Sequence, residues 1–403
     1  MAHALIVGAG IAGDALAVLL DRQGWQVTVA EIAPGLREGG QTVDLRAGSR
    51  EVLARMGVLD TVLANLVPQR GLAWIDAAGK PRATMPVEAF DGQGFVSKEE
   101  ILRTDLARIL HNAGSDRIDY RFSETVEALD ERPDGVRVRF RSGDIGTFDI
   151  VVGADGVHSR VRNLRWGNEG QFRNSLGVAH AWFTLNERVD TPAIDGWFLM
   201  HNAPGGLVVE ARPGHAGQQE VGLSFRTTNP LPSRHDRAAQ IALLERTFSG
   251  VGWRAAEIVA RANEAEDFAL DTFDQISVPR WHDGRVVLLG DSAWCASPLS
   301  GLGTALALIG AEVLAKELAD GAVAPGVAFA AYEERMRPTA LAARRLLPGR
   351  VSMFAPMTQL GIRGWAVVWR VAQWRVAAPI LKWAMGDRGH DVPDVPQVAD
   401  VQR

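Results

Sequence analysis

Three glycine-bearing stretches, far apart in the chain, hold the residues best placed for chemistry. The first, Gly8-Ala9-Gly10-Ile11-Ala12-Gly13, has the GxGxxG spacing. Gly8 permits a tight turn, Gly10 lets the backbone approach a pyrophosphate, and Gly13 lets a helix pack closely on a strand. A helix starting there offers unpaired N–H groups and the positive end of its dipole to phosphates. Glu31, eighteen residues past Gly13, ends the next strand-like segment, where its carboxylate can accept from ribose hydroxyls. The second stretch is Gly153-Ala154-Asp155-Gly156, and the third runs from Gly290-Asp291 through Pro298 to Gly301-Leu302-Gly303. Together they point to a bound dinucleotide whose own chemistry does the work. His158, His201, His215 and His282 are scattered without ligand spacing, so neither a Ser-His-Asp arrangement nor a metal site is expected.

The elements that position these glycines follow from apolar patterning. Ala4 to Val7 read as a buried strand, and Leu16, Leu19 and Leu20 continue as a helical face. Ile150 to Val152 and Val286 to Leu289 are continuously apolar, as in a parallel sheet covered on both faces. Three strand–glycine–helix junctions imply one sheet assembled from distant segments. The expected class is α/β: a discontinuous Rossmann-like unit over residues 1–70, 97–170 and 270–345. A helix is expected over Ser49–Met56, continued by "GVLDTVLANLV". "SKEEILRTDLARILHNAG" reads as one helix opened by a Ser97/Glu100 capping box. Residues 71–96 read as two strands around Ala78-Gly79, and 176–228 as short alternating strands. With helices near 235–248 and 253–261, residues 71–96 and 171–269 form an inserted, mostly antiparallel sheet domain. Residues 346–403 form a C-terminal helical extension.

Composition narrows the field. The chain has 403 residues, 47% hydrophobic and 23% charged, enough for two domains around sizeable cores. A net charge of -5 leaves no general footprint for nucleic acid. One cysteine, Cys295, excludes an internal disulfide framework and a multi-cysteine metal site. The N-terminus reads as lacking a signal peptide, and no long uncharged run suggests a membrane span. A cytoplasmic protein, monomer or dimer, is expected.

The three junctions in this order, "GAGIAG", "GADGVHSRVR" and "GDSAWCASPLSGLGTA", resemble the FAD-dependent aromatic hydroxylases typified by para-hydroxybenzoate hydroxylase. "GGQTVDLRAGSREVLARMGVLD" and "LRTDLARIL" are similar to segments of the tetracycline-inactivating and polyketide-tailoring monooxygenases. The resemblance spans about residues 1–345 and implies noncovalent FAD. It implies that Gly8, Gly10, Gly13 and Glu31 cradle the pyrophosphate and ribose, and that Arg103 contacts FAD. Asp155 would lie near the pyrophosphate, Asp291 at the ribityl or pyrophosphate region, and Pro298 by the isoalloxazine. Gly301, Gly303 and Thr304 would face the flavin pyrimidine end, with Asp44 and Arg46 on a strand returning beside it. Each has a plainer alternative: Arg103 a surface arginine, Asp155 a helix cap. The chain departs from the family pattern at Trp294, Ser297 and Ala305. Cys295 reads as a buried small hydrophobe, with a covalent flavin link as the alternative.

The activity so implied is NAD(P)H-consuming monooxygenation of a large aromatic or polycyclic substrate through a flavin C4a-hydroperoxide, with O2 as co-substrate. It fits antibiotic biosynthesis or modification. An FAD-dependent reductase or dehydrogenase, and a non-enzymatic flavin sensor, are the alternatives. With one dinucleotide fingerprint, FAD takes it and NADPH or NADH visits transiently. Trp182, Phe183, Trp197, Phe198, Met200 and Phe225 in the insertion favour a large planar ligand or are simply core, and His201 and Arg212 are candidates to face it. From Met357 to Met385 a helix is expected, with Trp365, Trp369, Trp374 and Trp383 packed on the body. Arg363, Arg370, Arg375 and Lys382 would form a solvent stripe. Contact with an anionic membrane, or with a second copy, is the alternative reading of that stripe.

Overall fold

The structure, a computed structural model, describes residues 1–36, 41–46, 48–89, 96–187, 196–215, 217–320 and 323–372. Its organising element is the strand His3–Val7, whose Ala4, Leu5 and Ile6 have no exposed surface. It lies inside a six-stranded sheet, pairing in parallel with Gln26–Glu31 on one side and Ile150–Gly153 on the other. Asp119–Phe122 and Val286–Leu288 extend the parallel set outward, and His282–Asp283 closes one edge antiparallel. The helices Ile11–Arg22 and Gly303–Glu317 pack on this sheet and on each other, so the first and third glycine junctions open at the same sheet end. Ligands of open parallel sheets sit at this end, beyond the carboxyl ends of the strands.

A second sheet of seven strands carries the insertion. Its order is Ala269–Ile276, Arg173–Leu185, Gln219–Arg226, Leu207–Pro213, Trp197–Ala203, Gly71–Ile75 and Pro81–Pro86. All its pairings are antiparallel except that between Trp197–Ala203 and Gly71–Ile75. Alternation sorts its side chains onto two faces. Ala73, Ile75, Ala181, Phe183, Leu199, Val209, Leu223 and Phe225 pack under the helices Arg237–Phe248 and Ala255–Ala262. The opposite face carries Leu72, Phe198, Met200 and Val208, and beside them His180, Trp182, Glu210, Arg212, Glu220 and Ser224.

Three expectations need correction. The helix expected over residues 97–114 starts only at Arg103, because Glu100–Leu102 is a strand paired antiparallel with Thr42–Asp44. Leu102 is extended (φ -63°, ψ 134°), so no capping box forms; Ser97 Oγ accepts instead from the Glu99 N–H at 3.2 Å. The helix expected from Ser49 is two, Ser49–Arg55 and Leu59–Ala64, parted at Gly57 with φ +69°. His201 belongs to the helix-covered face, opposite Val209 and Ile75, and its Nδ1 lies 3.2 Å from the Ile75 carbonyl oxygen.

The C-terminal extension contains the helices Arg350–Phe354 and Gln359–Ala372. Trp369 is buried against the cleft-side sheet face and stacks on Trp74, with centroids 5.2 Å apart and planes 5° apart. Trp365 is partly buried beside it, while Arg363 and Arg370 are exposed. Trp374, Arg375, Lys382 and Trp383 lie outside the described residues. No described helix is long and apolar enough to cross a membrane.

Candidate active site

The first junction is shaped by its glycines in two distinct ways. Gly8 has φ +107°, and a Cβ there would stand 2.6 Å from the Ala154 carbonyl oxygen. A Cβ on Gly13 would come within 1.9 Å of the Gly8 carbonyl oxygen. The fold itself therefore demands these two. Around Gly10, by contrast, nothing lies within 4 Å of a Cβ position, and the first bond of the helix is Asp14 N–H to the Gly10 carbonyl at 2.9 Å. The N–H groups of Ile11, Ala12 and Gly13 precede that bond, next to the open space at Gly10, the arrangement by which a helix start cradles a pyrophosphate. Glu31 closes it: its carboxylate accepts from the N–H groups of Ala9 at 2.8 Å and Ala33 at 2.9 Å.

The second junction abuts the first through backbone. Ala154 N–H donates to the Val7 carbonyl at 2.9 Å. The Asp155 carboxylate caps the helix Arg160–Trp166, accepting from the Ser159 hydroxyl at 2.5 Å and from the N–H groups of Arg160 and Val161 at 2.6 and 3.1 Å. Burial pushes its pKa up against those bonds. His158 in the same loop bridges outward, to Asp271 at 2.8 Å and Glu169 at 3.1 Å, and so ties the loop to the inserted sheet.

The third junction supplies a second open helix start. Gly301 (φ +66°), Pro298 and Gly303 are exposed, and a Cβ on Gly303 would meet nothing within 4 Å. The first bond of the helix Gly303–Glu317 runs from the Leu306 N–H to the Leu302 carbonyl, leaving the N–H groups of Gly303, Thr304 and Ala305 ahead of it. Such a terminus favours negative charge. Asp291 opens on the same cleft; its pKa is raised by burial, with the Arg103 guanidinium opposing, which sets those two residues in one electrostatic neighbourhood. Asp44 reaches in from the strand Thr42–Asp44, its Oδ2 3.6 Å from a Cβ position on Gly301 and accepting from Arg46 Nε at 2.8 Å. Trp294 and Cys295 are buried, Cys295 beside Asp291. Trp294 packs on Trp281, and the Cys295 thiol, pushed up by burial, donates to the Asp274 carbonyl.

The facing wall is aromatic and ionic. His180 stacks on Trp182 at 5.5 Å and tilts against Phe273 at 5.2 Å, which meets Phe354 at 5.6 Å. Leu299 of the third junction packs on Phe273 and Val178. The Arg212 guanidinium lies 4.0 Å over the Phe198 ring. Glu220 accepts from the Thr42 N–H at 2.6 Å and its hydroxyl at 2.8 Å, joining the sheet to the strand Thr42–Asp44. Gln41 Nε2 donates to His180 Nε2 at 2.7 Å, which leaves Nδ1 to donate to Ser224 Oγ at 2.7 Å. Burial drives His180 down to about 3 and Glu210 up to about 7.

Glu100, Glu210, Glu220, His180, Gln41 and Arg350 were not expected here from sequence. The available signal was charged residues alternating with core residues in "LVVEARP" and "QEVGLSFR", which strand pairing aligns as Arg212 opposite Glu220.

Residues 1–345 match the family model described as FAD binding domain. The chain belongs to that family. Within it the chain is an FAD-dependent monooxygenase, an oxidoreductase with FAD as its cofactor. It is 34% identical over 325 residues to the FAD-dependent monooxygenase asL4 of Sarocladium schorii, covering 78% of this chain and 75% of that one. Its structure is similar to that of the tetracycline destructase Tet(55), with a TM-score of 0.76 and 28% identity, covering 97% and 98% of the two chains. It shares a fold with Klebsiella pneumoniae HpxO complexed with FAD and uric acid, with a TM-score of 0.71 and 23% identity, covering 95% of each. The two open helix starts and the Glu31 carboxylate fit the cofactor these relatives name.

Proposed function

We propose that this monooxygenase hydroxylates a large planar aromatic or polycyclic substrate, using NADPH or NADH as a transient reductant and O2 as the oxygen source. The observation that carries the reading is that Leu299 of the third junction packs on Phe273 and Val178, bringing the open helix start at Gly303 beside the row Trp182, His180, Phe273 and Phe354. In this reading Gly8, Gly10, Gly13 and Glu31 hold the pyrophosphate and ribose, Arg103 and Asp291 the ribityl region, and Asp155 the loop beneath. Pro298, Gly301, Gly303 and Thr304 border the ring, with Asp44 and Arg46 at its edge. Residues 1–70, 97–170 and 270–345 then act as the flavin unit, 71–96 and 171–269 as the substrate unit, and 346–403 as a C-terminal extension.

When bound, FAD supplies hydride acceptance and activation of dioxygen. The chain's own side chains do the rest. The N–H groups of Gly303, Thr304 and Ala305 stabilise negative charge on the reduced ring. The aromatic wall and Leu299 exclude water and set a flat substrate parallel to the cleft. A fused-ring ligand of the tetracycline type suits this wall better than a small acid, because Arg212, the cation of the wall, is engaged by Phe198 and the surrounding carboxyls. The cytoplasm is the compartment that suits a dinucleotide-consuming enzyme, working as a monomer or dimer.

The test is anaerobic mixing of the FAD-loaded protein with NADPH or NADH, with and without tetracycline, while following the flavin absorption. Bleaching accelerated by ligand is expected. Failure with both nucleotides under every condition would replace the enzyme by a flavin sensor, and a product gaining two hydrogens rather than one oxygen would make it a reductase.

A further inference from the structure

Glu100 stands directly opposite Asp44 across the two-stranded ribbon, so both side chains leave the same face. Glu100 is 1% exposed. Its Oε2 accepts from Gln69 Nε2 at 2.9 Å, while its Oε1 is buried with no donor pointing at it and Arg212 Nη1 3.9 Å away. Two ionised carboxyls on one buried face repel, and a carboxylate only accepts, so a proton on Glu100 both removes that repulsion and gives the partnerless Oε1 a hydrogen to donate. The surrounding charges agree. Asp44, Glu100, Glu210 and Glu220 are four carboxyls, faced by Arg212 from the sheet and by Arg46 and Arg350 beyond Asp44. Burial and mutual repulsion of the two Arg side chains lower Arg350 to about 10, and His180 is neutral.

We propose that Glu100 and Asp44 share one proton and form the enzyme's internal proton store, with Glu100 the protonated member and Asp44 the outlet toward the flavin at Gly301. The inference rests on the monooxygenase reading, whose stoichiometry is R–H + NAD(P)H + H⁺ + O2 → R–OH + NAD(P)⁺ + H2O. One proton is consumed per turnover. The Glu100 O–H bond breaks as the Asp44 O–H bond forms, and Asp44 passes its proton to the oxygen atom that leaves as water. Each electron pair stays on its carboxylate, and Glu100 is recharged from solvent between turnovers. Burial, then the Asp44 charge, raise Glu100 to about 8, so the store is filled at neutral pH and empties above it. Glu100 acts through Asp44 and is a positioning residue.

The first arm of the test uses the flavin-free protein. Infrared difference spectra between wild type and Glu100→Gln should show a protonated-carboxyl band near neutral pH that disappears with a midpoint near pH 8. Asp14 and Glu210, which burial raises to about 7, are present in both proteins and cancel. The second arm follows single turnovers of the FAD-loaded, NADPH-reduced enzyme with O2 and tetracycline. Wild type should slow about tenfold between pH 7 and pH 9 as a group near pH 8 ionises. Glu100→Gln should be slow and flat across that range, and Glu100→Asp should keep a pH dependence with a shifted midpoint, each with FAD affinity changed less than about twofold. No difference band near neutral pH overturns the shared proton, and a wild-type pH profile in Glu100→Gln overturns the store. If Glu100→Gln does not fold, the wild-type and Glu100→Asp titrations decide: each must lose a protonated-carboxyl band, near pH 8 in wild type and at a shifted midpoint in Glu100→Asp, or the proposal fails. Absence of FAD binding would sink the monooxygenase reading while leaving the infrared arm intact.

Discussion

Alanine at Gly10 and alanine at Gly13 should fail in opposite ways. Gly10 lies at φ -94° and ψ -176°, extended backbone that alanine adopts freely, and its Cβ would meet nothing within 4 Å. The flavin-free protein should therefore lose no more than a cap-sized ~0.5–1 kcal/mol. The methyl would stand where the pyrophosphate must approach the N–H groups of Ile11, Ala12 and Gly13. Losing one charge-assisted hydrogen bond costs about 1.5–3 kcal/mol, so FAD affinity should fall about ten- to a hundredfold. In Gly13→Ala the methyl meets the Gly8 carbonyl oxygen at 1.9 Å, backbone against backbone, so the flavin-free fold itself must give. The assay pairs FAD titration by flavin fluorescence with urea unfolding of the flavin-free protein. A Gly10→Ala variant that binds FAD like wild type, or one as destabilised as Gly13→Ala, would refute the cradle.

Two further outcomes follow from packing and charge. Trp369→Ala should destabilise the protein by ~3–5 kcal/mol, since a buried ring stacked on Trp74 is removed; an unchanged urea midpoint would mean that the Gln359–Ala372 helix is not docked. His158 is raised to about 9, first by its bond to Asp271 and then by Glu169, so its stabilisation is complete below about pH 6.5 and fades as pH rises through 9. Glu100 loses stability in the same direction, so the reading is taken as a difference. Wild type minus His158→Gln should shrink from pH 6.5 to pH 9, and a constant difference would contradict the clamp.

What could be read from the chain was what local sterics decide. The positive φ at Gly8 and the close approach at Gly13 are local requirements, and continuous apolar strands before each junction announce a sheet covered on both faces. The ribbon strand at Glu100 escaped because Ile101, Leu102, Leu106, Ile109 and Leu110 suit a helical face, whereas pairing with Thr42–Asp44 extends the first of them. Tertiary pairing overrode periodicity there. The ionic wall escaped for a related reason. Arg212 meets Glu220 by strand register and Glu100 by packing of a separate ribbon, and neither relation leaves a spacing in the sequence. The same alternation that marked the insertion as a sheet could not say which face would meet the flavin. That is why His201 and Arg212, both plausible from sequence, ended on opposite sides.

Isotope-labelled oxygen tests the central claim most directly. The FAD-loaded protein, supplied with NADPH and 18-O2, is offered tetracycline, uric acid and a set of fused-ring phenols, and products are analysed by mass. The account predicts an organic product carrying one labelled oxygen atom, formed in step with NADPH oxidation. NADPH turnover across the whole set with no label in any organic product would contradict it.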